Sequence, residues 1–114
     1  MDELVAQVAS NTGVDPAVAR RAVAIILKFL LNEGGGAKVQ ALIDALPGAA
    51  DAVASAPQVS GGVMGAFNAL TSAGLGMGDV QGVTREFVAY AKSKIGASAV
   101  DEVIGAIPGL SQFV

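Results

Sequence analysis

Apolar residues recur at helical spacing through most of the chain, and turn formers interrupt that rhythm. Leu4, Val5, Val8 and Ala9 make the first stripe, and "SNTG" stops it at Gly13, which predicts a helix over Asp2 to Asn11. Asp15-Pro16 opens the next helix. Asp accepts hydrogen bonds from first-turn amides, and Pro at the first helical position gives up no needed donor. That helix runs from Pro16 to Asn32, with Val18, Ala22, Ile25, Ile26, Phe29 and Leu30 as a wide apolar face. Leu27 and Leu31 extend the face almost all round, as expected of a helix that is central or buried between subunits. Gly34 to Gly36 end it.

A third helix carries Val39, Leu42, Ile43 and Leu46 and stops at Pro47. Ala50 to Ala54 continue as a weak helical turn, and Pro57 to Gly62 are the best linker candidate. Val63, Met64, Phe67 and Leu70 predict a fourth helix, ended by "GLGMG". Asp79 is expected to cap a fifth, from Val80 to Ile95, with the stripe Val80, Val83, Phe87, Tyr90 and Ala91. Gly96 breaks that helix. Ser98, with Asp101 three residues on, resembles a capping box and starts a sixth. Val100, Val103, Ile104 and Ile107 follow, and Pro108-Gly109 stop it.

The third and sixth helices share a register. Val39 aligns with Val100, Ile43 with Ile104, Ala45 with Ala106, Pro47 with Pro108 and Gly48 with Gly109. The same offset pairs Gly13 with Gly74, each just before a long helix. The expected fold is therefore all-α, with about six helices in two tandem three-helix repeats packed with pseudo-two-fold symmetry. It is a single domain over 1–114, with one unit over 1–54, a linker over 55–62 and a second unit over 63–114. A unit of that size rarely folds alone, so two copies are expected to bury their faces against each other.

Composition narrows the function. Apolar residues make up 53% of the chain and charged residues 15%, against roughly 25% charged in an average soluble domain. The deficit predicts an apolar surface or a surface hidden by a partner. The net charge is −3, and the seven Lys and Arg stand singly apart from Arg20-Arg21, which argues against nucleic acid. With no Cys and no His, thiol catalysis, Ser-His-Asp triads and imidazole or thiolate metal sites are excluded. Absent cysteine also leaves the redox compartment unspecified. Asp2 and Glu3 stand where a secretory signal carries positive charge, so a cytoplasmic location is the expectation. The most apolar run, Ala22 to Leu31, is ten residues with Lys28 inside it, and a span needs about 20. Ala52 to Gly78 carries no charge, but Pro57 and several glycines break it.

Candidate chemistry is thin. "GLGMGD", Gly74 to Asp79, superficially resembles a phosphate loop, yet a helix precedes it and Asp79 puts negative charge where a phosphate would sit. Asp2-Glu3 and Asp101-Glu102 read as first-turn carboxylates that favour the helix dipole. Arg85, Glu86, Lys92 and Lys94 read as a solvated face, with Glu86 and Tyr90 in local contact. Arg20, Arg21 and Lys28 read as a small basic strip. No catalytic, cofactor-binding or metal-binding residue is assigned, and no enzyme activity is expected.

"ELVAQVASNTGVDPAVARRAVAIILKFL", Glu3 to Leu30, resembles the N-terminal helix-turn-helix of HU-type histone-like proteins, but the β-sheet and basic arms that hold DNA in that family do not follow. A larger part of the chain resembles a bacterial family of unknown function built from tandem helical units. The matching residues are Thr12-Gly13-Val14, Ala19, Ala22-Val23, Leu27 and Leu46-Pro47, then Ala73-Gly74-Leu75, Val83 and Ile107-Pro108. These are packing motifs. The resemblance implies a helical fold, and no activity or functional residue comes with it.

The expected function is a non-enzymatic helical module that self-associates or binds a protein partner. Ile26, Leu27, Leu31, Met64 and Phe67 are its candidate interaction surface. The alternatives are a membrane- or lipid-associating protein and a binder of a small hydrophobic ligand between the repeats.

Overall fold

The computed structural model describes residues 2–33, 37–56, 59 and 61–107. Among them are seven α-helices and no strand: α1 (Asp2–Thr12), α2 (Pro16–Glu33), α3 (Ala37–Ala45), α4 (Ala49–Ser55), α5 (Gly62–Ser72), α6 (Met77–Ile95) and α7 (Ala97–Ala106). The expected all-α class holds, with one helix more than the six read from the sequence. The stop expected at Gly34 to Gly36, the one at Pro108-Gly109, and Pro57 lie outside the described residues.

The long helices α2 and α6 are the hubs. Each touches α1, α3 and α5 and the other, while α4 lies on α2 and α7 on α6. Ala19, Ala22, Val23, Ile25, Ile26, Leu27, Phe29 and Leu30 of α2 are all buried. The nearly all-round apolar pattern of this helix is therefore satisfied within one chain. Asp15 caps α2 as expected: Ala17 N–H donates to Asp15 Oδ1 at 2.8 Å.

Three local expectations are corrected. First, Leu46-Pro47-Gly48 does not lead out into a weak turn. It is a corner, with Ala49 N–H donating to the Leu46 carbonyl at 3.0 Å, and α4 begins at once. Leu46, Ala49 and Val53 are buried, so α4 is a packed helix with a small-residue face.

Second, α6 starts at Met77, ahead of Asp79. Asp79 still caps the helix, from inside: its Oδ2 accepts the Gly76 N–H at 3.2 Å. Third, α7 is entered from Gly96 rather than Ser98. Gly96 takes φ +92°, which lets one residue separate α6 from α7, so Ser98 is already helical. Asp101 and Glu102 consequently lie beyond the first turn, where the helix-dipole reading no longer applies to them.

The end of α5 is a Schellman turn. Gly74 N–H donates to the Thr71 carbonyl at 3.1 Å and Leu75 N–H to the Leu70 carbonyl at 3.3 Å, with Gly74 at φ +118°. Leu70 and Leu75, the apolar pair of that motif, are both buried. In the uncharged stretch from Ala52 to Gly78, Val53, Val59, Ala66, Leu70 and Leu75 are buried, while Met64 and Met77 are exposed. Asn32 Nδ2 donates to the Val59 carbonyl at 3.3 Å and ties the predicted linker to the end of α2. No helix among the described residues is long and apolar enough to cross a membrane.

Candidate functional site

An apolar cavity lies where α2, α3, α5, α6 and α7 converge. Each helix contributes the inner edge of its stripe: Ile26, Phe29 and Leu30 from α2, Val39 and Leu42 from α3, and Ala66 and Phe67 from α5. Val80, Phe87 and Ala91 come from α6, and Val100 and Val103 from α7. Three of the chain's four phenylalanines, Phe29, Phe67 and Phe87, face this space. The space open to the centre of a water-sized sphere is about 60 Å³. On that measure about 10–15 Å³ holds one water, so the cavity has room for a few small groups. Lined this way it stays dry, because a water there would find almost no hydrogen-bond partner.

The wall has two polar residues, and both are accounted for. Thr84 is buried, and its hydroxyl donates to the Val80 carbonyl of its own helix at 2.7 Å. Lys38 stands at the solvent side. Its side chain is about half exposed and forms an ion pair with Glu102 across the gap from α3 to α7. Val63, Phe67, Val88, Ile95 and Ile104 are also only partly buried, and with Lys38 they mark where the cavity meets solvent.

The five residues expected to form an interaction surface are dispersed. Ile26 and Phe67 meet on the cavity wall. Leu27 is fully buried in the core, so it presents nothing to a partner, and Leu31 is half-buried against that core. Met64 is exposed; it and Met77 are the exposed large apolar side chains among the described residues. The apolar excess of the composition is carried inward and by small residues.

Several of the remaining charged residues have named partners. Arg20 of the expected basic strip is bound to Asp2 at the start of α1. Arg21 lines a broad second groove of about 650 Å³ together with Asp51 and a floor of small residues from α2, α4 and α5. On α6, Glu86 does not belong to a solvated face. Its Oε2 accepts hydrogen bonds from Gln7 Nε2 at 3.2 Å and Asn11 Nδ2 at 3.1 Å and so fastens α1 to α6. Tyr90 is buried, and its ring lies under the Lys94 ammonium, 5.3 Å from Nζ to the ring centre. Lys92 faces Asp101 at 3.8 Å.

Sequence reasoning offered a cavity only in outline, as a space between the repeats, and missed Lys38, Phe29, Phe87 and Val100 as its wall. Each of those side chains belongs to an ordinary core stripe or helix surface. Only the crossing of five helices brings them together. Compared with family models, with curated proteins and with solved structures, the chain finds no match.

Proposed function

We propose that this chain is a non-enzymatic binding protein for a small hydrophobic molecule, held between its two halves. The observation that carries the reading is the five-helix cavity, lined by apolar side chains except for Thr84 and Lys38, with Lys38 its single charged residue. A specific small-molecule site is concave, mostly apolar and equipped with few polar groups, and this cavity has that make-up. Binding is favoured over catalysis because Lys38 is paired and the Thr84 hydroxyl is engaged by its own helix. NMR titration of the full chain with isohexanol tests it. Shifts confined to residues such as Ala66, Phe87 and Val103 are expected; no saturable shift at any of them would overturn the reading.

We further infer that the two halves are copies of one three-helix unit, with α4 as the connection after the first copy. Supporting this, α1 lies on α6 and α5 lies on α2, so the first helix of each half rests on the long helix of the other. Gly13 and Gly74, paired by the sequence offset, both take positive φ just before those long helices. A fold shared in this way makes each half dependent on the other. Half-chains are expected to be unfolded singly and helical on mixing, and a half that folds alone would count against the shared core.

A further inference from the structure

We propose that the molecule bound in the five-helix cavity is a short hydrophobic carboxylic acid, whose carboxylate takes Lys38 from Glu102. The inference rests on the binding role proposed above and adds the chemical class of ligand.

The shape of the cavity sets the apolar end. The space open to the centre of a water-sized sphere is about 60 Å³, which suits a short or branched tail of a few carbons. The partly buried Val88 and Ile104 belong to the same wall, on its solvent side. Lys38 is the one charged residue of the wall among the described residues, and its half-exposed side chain sets it at the solvent side. A molecule apolar at one end therefore reaches a cation at the other.

Lys38 can exchange partners at little cost. It and Glu102 have side chains 49% and 61% exposed, and ion pairs that exposed are weak because water screens them. Glu102 does not line the cavity, so its displacement removes nothing from the apolar wall. A ligand carboxylate replaces one anion by another at the same ammonium and brings apolar contacts with it. A neutral head group leaves the Lys38–Glu102 pair across the mouth and gains no charge partner. A cationic head group meets Lys38 first and is repelled.

Isocaproate, isohexanol and isohexylamine share one branched tail and differ in the head, so calorimetric or NMR titration of the full chain with each separates the two proposals. Isocaproate is expected to bind about three- to fivefold more tightly than isohexanol, the range of a partly exposed ion pair, and isohexylamine more weakly than either. The acid-to-alcohol ratio should fall to about one in Lys38→Met, which keeps the aliphatic stem, and should rise in Glu102→Gln, which removes the competing carboxylate. Equal binding of acid and alcohol by the native chain, a preference that survives Lys38→Met, or tightest binding of the amine would each overturn the head-group assignment while leaving the cavity as a binding site. Saturable binding of none of the three would remove the cavity reading and this one together.

Discussion

Gly82 on α6 lies so close to Thr12 at the end of α1 that a methyl group at position 82 would stand 3.3 Å from Thr12 Cγ2. Thr12 cannot rotate away freely, because its hydroxyl donates to the Val8 carbonyl at 2.6 Å. In an open helix, Gly→Ala is worth up to about 1 kcal/mol. Here the crowding offsets that gain. Gly82→Ala is expected to be near neutral in urea denaturation, and Gly82→Val to lose about 1–3 kcal/mol by overpacking. Gly105, with nothing near its missing Cβ, is the control: Gly105→Ala should stabilise by about 0.5 kcal/mol, reduced by its place near the end of α7. A clear gain from Gly82→Ala would show that α1 and α6 are not held this closely.

Leu27 decides whether α2 is covered from within the chain or by a neighbour. It is fully buried by other helices of the same chain. Leu27→Ala is expected to cost about 2–5 kcal/mol, the range for a buried leucine that leaves a cavity. Because the cover is intramolecular, the loss should not depend on protein concentration. Met64→Ala, at an exposed position, should change stability by less than about 0.5 kcal/mol. A melting midpoint of the Leu27 variant that climbs with concentration would return α2 to a subunit interface.

Glu86 makes a different prediction, about local opening. One carboxylate oxygen holds both Gln7 and Asn11, and the helix it holds is only three turns long. Hydrogen bonds to a charged acceptor contribute more than neutral ones, but these are partly exposed, so the clamp is worth about 1 kcal/mol. In Glu86→Ala, hydrogen exchange should quicken across α1 by about fivefold and change little in α7. Unchanged α1 protection would assign the docking of α1 to Leu4, Val5 and Val8 alone.

The difference between what was legible in this sequence and what was not follows from the range of each interaction. The stripes of α2, α3 and α6 could be read because each is a local repeat of large apolar residues. The Asp15 cap was legible because its partner, the Ala17 amide, is two residues away. By contrast, α4 read as a weak turn, since Ala49 to Ser55 offers only Val53 as a large apolar side chain. Its stability comes from packing on α2 and α3. Glu86 looked solvated because its partners are on a helix far away in sequence. The cavity was expected only in outline, as a space between two halves. Its wall could not be read, because Phe29, Phe67 and Phe87 each fit a separate stripe until the helices cross.

Filling the cavity tests whether that space is a site or merely loose packing. Val103 on α7 is buried and faces it. Val103→Ile adds one methylene without changing the β-branched backbone preference, and burying a methylene is worth about 0.8 kcal/mol. The cavity accepts a group of that size, so the variant should be more stable than the native chain by up to about 1 kcal/mol in urea denaturation. The same group occupies part of the room a ligand needs, so saturable binding of isohexanol should weaken several-fold. The two effects must appear together. Greater stability with undiminished binding would place the ligand elsewhere, in the groove beside Arg21 for example. Lower stability would mean that the space is already filled by the motion of its own phenylalanines.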